Sequence, residues 1–127
     1  MSERAIAASI VDALHAARVR GDLAAICQLF APDGSFSIAG ASADKPIAIS
    51  ESRLADFRPW LAMMVKVFRL SDYDLLSLVV EWPRATAHWR VNIHSKVTGV
   101  TIATELVDLI EIRAGKIVSY REFFVPR

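Results

Sequence analysis

The chain has 127 residues, with 15 Lys and Arg against 14 Asp and Glu and a formal net charge of +1. That length fits one domain, read as residues 1–127. The near-neutral charge and scattered basic residues give no electrostatic footing for nucleic acid or an anionic membrane.

Cys27 is the single cysteine, which excludes an internal disulfide and a cysteine-built metal site. The hydrophobic fraction is 54% and the mean hydropathy +0.34, more than a small core needs, so a pocket or a subunit interface is expected to take the surplus. Met1-Ser2-Glu3-Arg4 leads into an amphipathic helix rather than an apolar leader, and no apolar run is long enough to span a bilayer. The expected compartment is the cytoplasm.

Glu3 to Arg20 reads as a helix, because Ile6, Ile10, Leu14 and Ala17 recur on one face, with Ser2 as N-cap. Gly21 suits its left-handed end, and Asp22 caps a short helix from Leu23 to Phe30. Ala31-Pro32-Asp33-Gly34 reads as a turn and Ser35 to Ile38 as a short strand. Gly40 to Ser50 is small and polar, the composition of a loop. A third helix runs to about Phe68, capped by Ser50 or Ser52, or starting near Arg58 so that Pro59 falls in its first turn. Trp60, Met63, Met64 and Val67 then share a face.

Strands follow. Tyr73 to Glu81 is one. Ala85 to Ser95 alternates cleanly, with Ala87, Trp89, Val91 and Ile93 against His88, Arg90, Asn92 and His94. Val100 to Ile112 and Ile117 to Val125 form a hairpin. Helices first and antiparallel strands after them make the fold class α+β, with about three helices packed on a curved sheet.

The stretches Val19-Arg20-Gly21-Asp22-Leu23, Leu29-Phe30-Ala31-Pro32-Asp33-Gly34, Val107 to Ile117 and Tyr120-Arg121-Glu122-Phe123-Phe124 resemble the SnoaL-like branch of the nuclear-transport-factor-2-like fold. Ketosteroid isomerases and limonene epoxide hydrolase share that fold. The resemblance implies a cone-shaped roll with a pocket between helices and concave sheet. It also implies a small apolar ligand, no cofactor, and a homodimer through the convex sheet face.

The hairpin turn sets which residues meet. A three-residue loop Arg113-Ala114-Gly115 pairs Ile112 with Lys116, Asp108 with Tyr120 and Leu106 with Glu122, all on one face with Ile110, Val118 and Phe124. A two-residue turn would pair Asp108 with Arg121, an ordinary cross-strand ion pair. Glycine at the third loop position favours the first register, as does the resemblance.

In the family, the position matching Asp108 carries a catalytic acid in ketosteroid isomerases, and that matching Glu122 a catalytic aspartate in limonene epoxide hydrolase. An apolar pocket disfavours a charged carboxylate, and a second carboxylate pushes the same way. One of the pair is then expected to stay protonated, giving an acid and a base in one site. Asp108, Glu122 and Tyr120 are the catalytic candidates. Structural readings stand beside this: Asp108 anchoring a backbone group or the Tyr120 hydroxyl, and Glu122 paired at a solvated rim.

The chain departs from the enzymes it resembles. Ile38 stands where the isomerases carry their general base, and Leu14 near their oxyanion tyrosine. Pleat parity turns Trp89 and Val91 inward and Arg90 and Asn92 outward, whereas a bulge would reverse the faces, so the complete epoxide hydrolase triad is not established. His88 and His94 are roughly 20 Å apart on an extended strand, too far for one metal. The spacing of His15 puts it on the flank of the first helix's apolar stripe. No metal site is expected. Under this fold Leu14, Ile38, Trp60, Met63 and Met64, with Trp89, Val91, Leu106 and Phe124, would bind the ligand; Phe57 and Phe68 would join them. The expected function is a cofactor-independent isomerase, cyclase or hydrolase. A non-catalytic binding or dimerisation module, or a dioxygenase-type small subunit, are the other readings.

Overall fold

A computed structural model of the chain describes residues 2–42 and 45–125, and side chains outside 40–48. Helix α1 (Glu3–Arg20) has the bounds read from the sequence. Ser2 accepts from the Ala5 N–H at 3.0 Å, and Gly21 closes the helix with φ 69°. Its buried face carries Ala7, Val11 and Leu14, and continues through His15 to the partly buried Arg18. Residues three and four apart stack on one face, so His15 and Arg18 follow the apolar stripe inward.

Helix α2 (Leu23–Gln28) is capped by Asp22, which accepts from the Ala25 N–H at 3.1 Å. It stops before Phe30 because strand β1 (Phe30–Ser42) starts there. The expected turn at Ala31–Gly34 is a bulge inside that strand: Phe30 pairs with Ile117, but Ser35 already with Ser119. A Cβ on Gly34 would sit 3.0 Å from the Ala31 carbonyl and 3.1 Å from that of Ile117, so the bulge favours glycine: any side chain would press on two backbone oxygens.

The loop expected over Gly40 to Ser50 is instead the end of β1 and strand β2 (Lys45–Glu51); residues 43 and 44 lie outside the described residues. Edge pairing with β1 overrides a composition poor in strand formers.

Helix α3 (Leu54–Val67) has Arg53 as N-cap, not Ser50 or Ser52, and holds Pro59 in its interior rather than its first turn. The earlier start buries Phe57 completely against Phe30 and Phe36, at centroid distances of 5.2 and 5.4 Å. Pro59 lies on the exposed side.

The strands β3 (Phe68–Glu81), β4 (Arg84–Ser95), β5 (Thr101–Arg113) and β6 (Lys116–Phe124) complete one six-stranded sheet, ordered β2-β1-β6-β5-β4-β3. Among the described residues only the β1–β6 pair is parallel. The helices pack on its concave face, as the sequence indicates. In β4, Ala85, Ala87, Trp89 and Val91 are buried, while His88, Arg90, Asn92 and His94 bond to Glu105, Asp74, Asp72 and Thr101. No helix among the described residues is long and apolar enough to cross a membrane.

The β5–β6 hairpin corrects both registers drawn from the sequence. Its turn is two residues, Ala114 and Gly115, with φ of 52° and 75° and Arg113 opposite Lys116. That turn alone would bring Arg121 opposite Asp108. A bulge at Val118 intervenes: Ile112 pairs with Ile117, but Glu111 with Ser119. One extra residue restores the face. Asp108 therefore lies opposite Glu122, Ile110 opposite Tyr120 and Leu106 opposite Phe124.

The turn generates a prediction. A residue with a Cβ in the left-handed region costs about 1–2 kcal/mol, and Asn-Gly is the favoured pair here. Ala114→Asn should stabilise the protein by about 1 kcal/mol. Urea unfolding should show a higher midpoint at unchanged slope.

Candidate active site

Two carboxylates face each other across β5 and β6, and α1 lays two nitrogen bases over them. Asp108 is 0% and Glu122 1% exposed. His15, also fully buried, meets Asp108 through Nε2 and Oδ2 at 2.9 Å. Its Nδ1 lies 2.7 Å from the Tyr73 hydroxyl on edge strand β3. Arg18 donates from Nη1 to Glu122 Oε1 and, at 3.1 Å, to the Tyr120 hydroxyl. Tyr120 in turn donates to Glu122 Oε1 at 3.3 Å. The Trp89 ring supports both bases: His15 stacks on it at 4.2 Å, and the Arg18 guanidinium lies 5.1 Å from its centre.

Burial dominates the electrostatics. It pushes the Glu122 carboxyl above its usual value near 4.5; Arg18 opposes this and Asp108 adds to it. Burial, then the charges of Asp108 and Glu122, hold the Tyr120 phenol well above the ordinary range, so it remains a donor. Burial, Asp12, Asp108 and Asp74 push Tyr73 up to about 12. Burial works against the Arg18 charge, but Glu122, Tyr120 and Asp108 together more than restore it, so Arg18 stays a cation. Among the described residues, two buried side-chain polar atoms have no partner, Asp108 Oδ1 and Trp89 Nε1.

A cavity of about 500 Å³ opens beside this cluster. Arg18, Glu105 and Glu122 are the charged residues of a mainly apolar wall that includes Ile38, Met63, Met64, Leu106 and Phe124. Phe68 also borders it.

Other expected ligand contacts lie elsewhere. Leu14, Trp89 and Val91 are fully packed beneath the wall, and Trp60 is 40% exposed, turned outward on α3. Phe57 belongs to the main core. Asp108 and Tyr120 are behind the cavity, so of the three catalytic candidates Glu122 borders it; Glu105 also lines it, with its carboxylate paired to His88. Among the described residues, no three His, Cys, Asp or Glu side chains gather to hold a metal ion.

His15 is not on the helix flank as its spacing suggested; it is in the centre of the cluster. Arg18 and Tyr73 were not singled out from the sequence. The available signal was the series Ala7, Val11, His15 and Arg18, which continues the stripe when polar residues are counted with apolar ones.

The raised Glu122 sets a sign for stability. The folded protein keeps a proton there that the unfolded chain has released, so this group's contribution falls as pH rises through a window opening near 4.5. Compared with Glu122→Gln, wild type should lose stability as pH rises from 4 to 7. Urea unfolding at several pH values measures the difference; a relative gain would mean that Arg18, not burial, governs this carboxyl.

Comparison with known proteins agrees with this architecture. No curated protein matches the chain. Three solved structures illustrate the likeness. A Bacillus subtilis protein provisionally named an isomerase is 20% identical, with 99% of this chain and 91% of that one covered at TM-score 0.87. A Xanthomonas campestris pv. campestris protein provisionally named a polyketide cyclase is 22% identical, covering 98% and 93% at TM-score 0.76. An LEH-like epoxide hydrolase of M. tuberculosis is 12% identical, covering 95% and 84% at TM-score 0.76. Likeness at these identities shows the fold, which is that of nuclear-transport-factor-2-like and ketosteroid isomerase-like proteins. The SnoaL-like domain model matches residues 11–120, and the chain belongs to that family.

Proposed function

We propose that this is a cofactor-independent enzyme that moves a proton on a small apolar ring compound, in an isomerisation, cyclisation or hydrolysis. One observation carries the reading: Glu122, a carboxylate 1% exposed, borders a largely apolar cavity of about 500 Å³ beside a guanidinium. Glu122 accepts or returns the proton. Burial supports this role by bringing its basicity toward the working range. Arg18 stabilises negative charge that develops on a ligand oxygen, an interaction strengthened where water is excluded. Tyr120 orients the Glu122 carboxyl, and Asp108, its cross-strand partner, discourages a second negative charge.

The names of the three structural neighbours are compatible with such chemistry and choose no substrate. A second reading, a non-catalytic ligand-binding module, is favoured by one feature: Glu122 Oε1 already accepts from both Arg18 and Tyr120, as a purely structural ion pair would.

The two readings part on a panel of epoxides and β-dicarbonyl compounds. Glu122→Gln should lower turnover by at least about 10²-fold while ligand affinity stays within tenfold, and Asp108→Asn should also lower it. Unchanged turnover in both variants, or binding with no turnover by wild type, supports the binding module.

Pairing of two copies through the convex face belongs to the same proposal. Val79 and Leu109, 60% and 38% exposed on that face, support it. Sedimentation should give a dimer for wild type and a shift toward monomer for Leu109→Lys.

A further inference from the structure

We propose that His15 is a proton relay, passing protons between Asp108 behind the cavity and the Tyr73 hydroxyl on the outer strand. The exchange path stands on its own; its use in turnover rests on the acid/base reading above.

His15 meets Asp108 but stands apart from the cavity. It is fully buried and does not border the cavity, so it touches no ligand there. Yet both ring nitrogens are engaged by groups that can donate or accept, at 2.9 Å to Asp108 Oδ2 and 2.7 Å to Tyr73 Oη. The two partners lie on opposite sides of the imidazole. Asp108 is inside, directly across from Glu122. Tyr73 is half-buried on edge strand β3 and so leads outward. Trp89, stacked on the ring at 4.2 Å, fixes its plane.

The step balances. His15 Nε2–H gives its proton to Asp108 Oδ2 while Nδ1 takes the Tyr73 proton, and the phenol oxygen recovers one from solvent. One proton has moved from solvent to Asp108, and the imidazole has exchanged one neutral tautomer for the other. Both hydrogen bonds survive with donor and acceptor reversed, so the reverse transfer resets the relay. The charged groups that face this path are Asp12 on α1 and Asp74 on β3 at its outer end, and Arg18 and Glu122 at its inner end. Burial and the charges of Asp12, Asp108 and Asp74 favour a neutral Tyr73, which relays without ionising. A ligand filling the cavity would close the Glu122 side to water. The relay leaves the carboxylate pair a second way out.

The test needs no substrate, so its failure is distinct from failure of the proposed function. Exchange of the His15 ring N–H with water is followed by ¹⁵N-resolved NMR. The Trp89 indole N–H, equally buried, adjacent and without a partner, is the reference. In wild type, with each rate divided by that of the free side chain, the His15 proton should exchange at least tenfold faster than that of Trp89. Tyr73→Phe should slow it at least tenfold and leave Trp89 unchanged. Equal values for the two protons in wild type, each taken relative to its free side chain, would overturn the proposal, because both would then report one common opening. So would a His15 rate indifferent to Tyr73→Phe. The wild-type comparison decides the matter even if that variant does not fold.

Discussion

Two carboxylates buried side by side on neighbouring strands are the constraint to which the rest of the site answers. Asp108 and Glu122 face each other from β5 and β6, almost without solvent. Left alone, such a pair would be expelled from the interior or neutralised. The fold answers with bases from a different layer. Helix α1 crosses above the hairpin, and its last turns deliver His15 to one carboxylate and Arg18 to the other. They are three positions apart, which is the spacing that puts two side chains on one helix face. Trp89 then fills the space beneath both. Helix position, strand register and aromatic packing are thus a single solution to one electrostatic problem.

The hairpin shows how much of this was legible in the sequence. Its strands, the place of its turn and the inward face of Asp108, Tyr120 and Glu122 followed from alternation and a glycine; the length of the turn did not. The partners across the strands did not. The bulge at Val118 lies in Ile117-Val118-Ser119, where either pairing gives an acceptable pattern, and nothing local marks the extra residue. The α1 bounds were legible because capping is local chemistry. Its active face was not, since a histidine and an arginine near a helix C-terminus read as ordinary solvated or dipole-facing cations. Pro59 suggested a later start for α3, whereas burial of Phe57 decided it. Strand β2 escaped notice because edge pairing, not composition, makes it.

The same constraint separates the functional residues by depth. Glu122 and Arg18 border the cavity; Asp108, Tyr120 and His15 stand behind them. A fold that hosts many activities acquires its chemistry from such side chains rather than from its architecture. Here the apolar wall matters as much as the polar atoms. It lowers the local dielectric, which strengthens the Arg18–Glu122 attraction and raises the cost of any charge left uncompensated. The unpartnered Asp108 Oδ1 is the visible residue of that tension.

The central claim is that α1 compensates the buried carboxylates. A double-mutant cycle between Arg18→Met and Glu122→Gln, read by urea unfolding at pH 7, tests it most directly. Arg18→Met alone should cost about 3–5 kcal/mol, since it leaves a buried carboxylate uncompensated. The double variant should cost less than the sum of the singles, with a coupling of about 2 kcal/mol or more. Additive losses would mean that the helix and the hairpin stabilise the fold independently, and would contradict the account.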